Sequence, residues 1–186
     1  MTMEKKLTPK ELLRNLILSS RDPFTSTERL EDIKRVLLTS DNFCGINHLY
    51  MVKTYLNPDS YPFSISKDEA FNQCNKALNE GNTIAYFYLY LISEKEIEKR
   101  KYLNLSLLYK YPYAYLEYAK LHHTGTIYEK DLKKAYAYYK KAADNNIKEG
   151  YYGMITIDME TGNKEKQIQD YKDAEKKGFK LAGIIL

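Results

Sequence analysis

The 186-residue sequence predicts an all-α fold, a helical solenoid of antiparallel helix pairs, and three observations carry that expectation. Apolar residues recur at i, i+3 or i+4, and i+7 along most of the chain, the spacing that lines one side of a helix. Ser or Thr stands three residues before Glu at several helix starts, and single glycines stand at helix ends, as capping requires. The small residues Gly45, Ala85, Ala114, Gly150 and Ala182 open alternate helices at spacings of 40, 29, 36 and 32 residues, an irregular period of the kind helical arrays show.

In chain order, Thr8-Pro9-Lys10-Glu11 is a capping box with Pro in the first turn. Leu12, Leu13, Leu16 and Ile17 follow at helical spacing, so a first helix is predicted over 9–19. Asp22-Pro23 breaks it, and Thr25-Ser26-Thr27-Glu28 reopens a helix striped by Leu30, Ile33, Leu37 and Leu38 that ends near Ser40. Residues 43–56 form a third helix, with Leu49, Val52 and Leu56 as its face. The cluster Asn57-Pro58-Asp59-Ser60-Tyr61-Pro62 is the longest run of helix breakers and explains the 40-residue spacing. Ser66-Lys67-Asp68-Glu69 then caps a helix faced by Ala70, Cys74, Ala77 and Leu78, which Gly81 stops. Residues 84–92, IAYFYLYLI, are rich in strand formers, yet the surrounding period predicts a helix, apolar all round and buried on both sides. Ser93-Glu94-Lys95-Glu96 is read as the cap of the next helix, which runs to about Tyr109, and Pro112 starts the one after. Residues 150–161 and 165–177 are helical, closed by Gly162 and Gly178, and 181–186 begin a final helix.

The clearest stretch is 114–143, AYLEYAKLHHTGTIYEKDLKKAYAYYKKAA. Ala114, Tyr118 and Leu121 line one helix, which Gly125 can end in a left-handed cap. Asp131 can cap the next, whose stripe is Ala135, Tyr138, Tyr139 and Ala142. Alanines alternating with tyrosines let two helix backbones approach while the rings fill the flanks. This spacing resembles the Sel-one-like repeat, a relative of the tetratricopeptide repeat, through Ala114, Tyr118, Ala119, Leu121, Gly125, Asp131, Lys134-Ala135, Tyr139 and Lys141-Ala142-Ala143. Where the family commonly has Gly after the closing alanines, this chain has Asn146, which also tolerates a left-handed backbone. The resemblance implies an α/α superhelix, a right-handed solenoid, whose members act as adaptors. The chain then reads as a single helical-repeat domain over 1–186, with repeats near 9–40, 43–80, 83–109, 112–145 and 147–177 and a partial final helix at 179–186.

Composition narrows the function classes. The net charge of +4 is spread along the chain without a Lys/Arg block, which argues against a nucleic-acid partner. No run approaches the roughly 20 apolar residues of a membrane span, and residues 1–10 lack a signal-peptide core, so a cytoplasmic protein is expected. Cys44 and Cys74 sit in separate helical patterns and read as buried, inert thiols without a disulfide or zinc role. The lack of a cysteine pair in every repeat separates the chain from the secreted branch of the family that it resembles.

No phosphate-binding glycine loop, nucleophile elbow or paired-histidine zinc motif occurs. His122 and His123 are neighbours, but adjacent helical side chains diverge by about 100°, so chelation of one ion is not expected, and His122 reads as packing. No metal, cofactor or catalytic residue is therefore assigned. Tyrosine is the outlier: 19 in all, 15 of them between Tyr86 and Tyr152. Most serve as space-fillers, yet Tyr111, Tyr113, Tyr115 and Tyr118 point several ways around one helix, so some must reach the surface. By spacing, Tyr86, Tyr90, Tyr115, Glu117, Tyr151 and Tyr152 are the candidates for a partner-binding strip on successive first helices. The functional expectation is a non-enzymatic adaptor, monomeric or weakly oligomeric, that binds a protein or peptide. An inhibitor or immunity-type protein capping one toxin or enzyme is the alternative. A hydrolase of cell-wall or lactam substrates ranks last, because the cysteines of such relatives are missing.

Overall fold

The computed structural model describes residues 11, 14, 15, 17, 18, 26–39, 44–61 and 64–180, and every regular element among them is helical. The chain divides into two compact units, one ending at Glu94 and the other beginning at Lys95. Most of the expected helix over 9–19 lies outside the described residues, as do the final helix over 181–186 and Ala182; Glu11, Arg14, Asn15, Ile17 and Leu18 are helical.

The first unit holds α1 (Thr27–Thr39), α2 (Ile46–Leu56), one 3₁₀ turn (Pro58–Ser60), α3 (Lys67–Asn79) and α4 (Ala85–Ile92). Consecutive helices pack on one another, and α2 also touches α4. With three helical neighbours, α2 buries Asn47, His48, Leu49, Tyr50, Met51, Val52 and Thr54, a wider face than the one its apolar spacing predicts. Ile33 and Leu37 of α1 close a core with Tyr50 and Met51, and Tyr61 stacks edge-on to Tyr50 with 5.3 Å between ring centres. The helical period wins over strand propensity in α4. Burial is not complete all round, however: α2 and α3 pack on α4, while Leu91 within it and Ile84 just before it keep 39% and 37% of their surface.

Two local expectations are corrected. Ser93 does not cap the following helix; its hydroxyl donates to the Leu89 carbonyl at 2.7 Å, satisfying the end of α4, and Lys95 precedes α5 without a side-chain cap. Cys44 is exposed, at positive φ in the turn before α2, because the chain must reverse there to bring Gly45 against Ala77 and Asn82. Cys74 is buried as expected, and burial pushes its thiol up to about 12, which keeps it an inert thiol at neutral pH.

The second unit holds α5 (Glu96–Leu108), α6 (Pro112–Thr124), α7 (Leu132–Asp144), α8 (Lys148–Thr161) and α9 (Lys164–Lys176). Consecutive helices again pack together, and α6 also touches α8. Gly125 ends α6 with left-handed backbone, the Asp131 carboxylate accepts from the Lys134 N–H at 2.9 Å, and Asn146 takes φ 63° in the turn to α8. Ala114, Ala135 and Ala142 are fully buried, as the alternating Ala/Tyr stripes predict, and so is Ala119. The backbones of α7 and α8 approach closely. A Cβ added to Gly150 would stand 2.5 Å from both the Ala143 nitrogen and the Tyr139 carbonyl oxygen, and one on Gly153 would enter the Tyr139 ring. The obstacle at Gly150 is backbone, which cannot swing aside. Gly150→Ala is therefore predicted to destabilise the protein by about 1–3 kcal/mol, although Ala gains about 1 kcal/mol over Gly in helix propensity. Urea unfolding would check this; a variant as stable as wild type would mean that α7 and α8 are not in backbone contact.

Candidate functional site

The six residues chosen by spacing are divided between the two units. Tyr86 and Tyr90 belong to the first unit, where Tyr90 is 7% exposed and packs 5.8 Å from the Phe87 ring. Tyr115, Glu117, Tyr151 and Tyr152 belong to the second. Tyr115 is half-buried, 6.1 Å from the Tyr138 ring, with Lys141 over its face at 5.8 Å. Glu117 pairs with Lys120 at 2.7 Å, one turn along the same helix. Tyr151 is 5% exposed between Phe179 and Lys177, and Tyr152 is half-buried against the core. Tyr115 and Tyr151, each one residue past a small helix-opening position, thus turn toward neighbouring rings, whereas Ile46, in the same relation to Gly45, keeps 46% of its surface.

Surface aromatics collect instead at the corner between α5 and α6. Lys110 takes φ 58°, and the Tyr111 N–H donates to the Ser106 carbonyl at 3.0 Å, so the chain reverses sharply there. Leu108, Tyr109 and Tyr113 flank the reversal with 70%, 50% and 49% of their surface exposed, while Tyr118 is buried. Ile97, 83% exposed, lies three turns before Leu108 on the same face of α5. The spread of tyrosines around α6 signals that some reach water; Leu108 and Ile97 carry no such signal, since both read as ordinary apolar helix positions.

A second feature is buried. Asp158 of α8 and Asp170 of α9 are 2% and 7% exposed and stand beside each other. The Tyr136 hydroxyl of α7 donates to Asp170 Oδ2 at 2.6 Å. Burial and the Asp170 carboxylate hold that hydroxyl well above the usual phenol range. No hydrogen-bond donor reaches Asp158 Oδ2. The two carboxyls can bond to each other only while one holds a proton. Burial, then the charge of Asp170, accordingly pushes Asp158 up to about 6, with Lys166 opposing. Asp158 also lines a cavity of about 400 Å³ with Leu132, Lys133, Tyr136, Ile157 and Lys166. The sequence carries a trace of the pair. Asp158 falls in phase with Tyr151 and Met154 on the buried side of α8, and Asp170 in phase with Gln167 and Ala174 on α9.

The histidines separate as helical geometry requires. His122 stacks on Tyr128 and its Nδ1 lies 3.0 Å from the Glu129 carbonyl oxygen. His123 Nδ1 lies 3.2 Å from the Tyr139 hydroxyl, and its Nε2 lies 2.8 Å from Glu160 Oε1 on α8. That row has the order of a nucleophile, base and acid, but burial and the charges of Glu117 and Glu160 push the Tyr139 hydroxyl up to about 12. An activated nucleophile requires the opposite direction. His48 is fully buried between Gln73 Oε1 (2.6 Å) and Glu80 Oε1 (3.0 Å), tying α2 to α3. Among the described residues no three His, Cys, Asp or Glu side chains gather as a metal site, and no helix is long and apolar enough to cross a membrane. The chain matches no family model and no curated protein.

The carboxyl pair makes stability depend on pH. Asp158 titrates near 3.8 when unfolded and near 6 in the fold. Below the first value both states hold the proton. As pH rises through the window the unfolded chain releases it first, so stability falls, and it stays lowered above the second value. Asp158→Asn removes this loss and supplies an N–H to Asp170. It is predicted to be more stable than wild type by on the order of 1 kcal/mol above about pH 6, with the gap closing toward about pH 4. Denaturation of both proteins across that range is the measurement, and a variant less stable than wild type at neutral pH would contradict it.

Proposed function

We propose that the chain is a protein-interaction module, a helical-repeat solenoid similar to the Sel-one-like family, that acts by binding a protein or peptide and not by catalysis. The observation that carries the reading is the exposed corner of Leu108, Tyr109 and Tyr113, in a protein that otherwise uses tyrosine to fill space between helices. Tyrosine and leucine at a surface offer large contact area with few torsions to freeze, and Lys110 in the turn adds a charged rim. The solenoid reading is supported inside each unit by the contacts of α2 with α4 and of α6 with α8, which link corresponding helices of successive pairs. Of the residues singled out by spacing, half-buried Tyr86, Tyr115, Glu117 and Tyr152 keep some surface for a partner, and Tyr90 and Tyr151 shape the scaffold. Two free thiols suit a reducing compartment such as the cytoplasm.

The test compares affinity capture by wild type and by a triple variant, Leu108→Ser, Tyr109→Ser and Tyr113→Ser, from the native lysate. These exposed positions tolerate substitution, so the melting temperature is expected to stay within a few degrees, by rough allowance for surface changes. Affinity for the captured partner is expected to fall on the order of thirtyfold, the loss of about one hot spot. Equal recovery of the same partner by both proteins would remove this corner as the binding surface.

A further inference from the structure

The hairpin of α6 and α7 carries cations laid along a row of tyrosines. Lys141 Nζ stands 4.3 Å from the Tyr138 ring centre and 5.8 Å from that of Tyr115, and Lys134 Nζ stands 5.2 Å from that of Tyr118. The rings touch in turn, Tyr115 against Tyr138 at 6.1 Å and Tyr138 against Tyr118 at 4.6 Å. Lys134, Ala137, Tyr138 and Lys141 recur at i, i+3, i+4 and i+7, so one face of α7 presents both ammoniums with the small, exposed Ala137 between them. From this arrangement we infer that the face docks an acidic peptide segment of a partner protein, whose two carboxylates stand three residues apart in an extended, polyproline-like chain.

Each ammonium is held in place without being neutralised. Neighbouring Lys120 and Lys130 pair with Glu117 and Glu160, whereas among the described residues neither Lys134 nor Lys141 has a carboxylate in ion-pair contact. A ring face attracts the charge of an ammonium while leaving N–H donors for an anion, and it limits the torsions still to be frozen when that anion arrives. A hydrogen bond with the Tyr118 side chain raises Lys134 above its ordinary value, against the effect of burial. The spacing selects the partner's conformation. Seven residues of helix set the two lysines about 10.5 Å apart along the axis, and in a polyproline II chain residues three apart face the same way about 9.3 Å apart. The flexible lysine stems take up the difference. In a β-strand, residues three apart face opposite ways and could not both reach. A nucleic acid fits less well, because the ring faces on which bases would stack already carry ammoniums. Asp131 and Asp144, three residues outside Lys134 and Lys141, also oppose a longer run of phosphates. Arg100 extends the row over Tyr128, but Glu96 pairs with it. Lys133 and Lys140 lie about 100° round α7, one beside the cavity of Asp158 and the other in the field of Asp173. The surface is separate from the corner of Leu108, Tyr109 and Tyr113 and stands whether or not that corner binds.

Amide NMR titration of the full chain at low salt tests this with the peptide acetyl-Gly-Glu-Pro-Pro-Glu-Gly-amide. Saturable shifts centred on Lys134, Ala137 and Lys141 are expected, and about 1 M salt should abolish them. The reordered peptide acetyl-Gly-Pro-Glu-Glu-Pro-Gly-amide, of equal charge, should bind at least about threefold more weakly because its carboxylates are adjacent. Lys134→Gln with Lys141→Gln should weaken binding at least about tenfold, while Lys133→Gln with Lys140→Gln, the same loss of charge, should stay within about twofold of wild type. Lys141→Gln alone, at an exposed position that tolerates substitution, should still weaken it about threefold if the double variant fails to fold. The triple corner variant should bind the peptide as wild type does. The inference is overturned if wild type does not bind, if the two lysine pairs weaken binding equally, if the corner variant loses it, or if a single-stranded oligonucleotide binds at these lysines more tightly than the peptide.

Discussion

Because Gly150 and Gly153 carry no Cβ, α8 lies directly against the backbone of α7 at Ala143 and under the ring of Tyr139, and the second unit is arranged around that contact. The approach brings Tyr139 through to His123 and Glu160 on one side. On the other it sets Ile157 and Asp158 beside Leu132 and Tyr136. Dispersion and burial fall steeply with separation, so a crossing one methyl wider would loosen both sides at once. The fully buried alanines at 135 and 142 serve the same end on the facing helix.

The two units treat buried polar groups differently. In the first, His48 and Gln73 sit in a chain of bonds that continues through Glu69 and Glu80 to the Gly45 N–H, so the polar interior fixes how α2 meets α3 and the turn before it. In the second, Asp158 faces another carboxylate; Asp170 accepts from Tyr136, while Asp158 Oδ2 has no donor. A hydrogen-bonded network specifies how helices meet, whereas a buried carboxylate oxygen without a donor raises the free energy of the fold. Asp158 is where the second unit's stability depends on pH, falling as the pH rises through about 4 to 6.

Tyrosine has two uses here. Tyr118, Tyr139 and Tyr151 are buried rings that fill the flanks of alanine-lined crossings, with Lys134 and Lys177 laid over the faces of Tyr118 and Tyr151. Tyr109 and Tyr113 flank the reversal between α5 and α6 and keep about half of their surface, Tyr113 against the Tyr111 ring at 5.8 Å. The same residue type is therefore scaffold or surface according to whether a second helix returns over it.

Helical class, element order and most caps were legible in the sequence, since they depend on contacts within a few residues: Asp131 caps α7, Ser66 caps α3, Gly125 ends α6 and Asn146 turns left-handed. Buried alanines were legible too, because a 3.6-residue period places Ala114, Ala135 and Ala142 on inner faces. Ser93 could not be placed that way, as its hydroxyl had acceptors before it and donors after it, and burial chose between them. Nor could the one-residue offset from a small position tell groove from core, as the fate of Tyr115 and Tyr151 depended on the path of the returning helix. The pairing of Asp158 with Asp170 and Tyr136 joins three consecutive helices. Local spacing sets Asp158 and Asp170 in phase with buried positions of their own helices; only tertiary packing decided that they would face one another and Tyr136, because the distance between two like charges is a property of the assembled helices and not of either one.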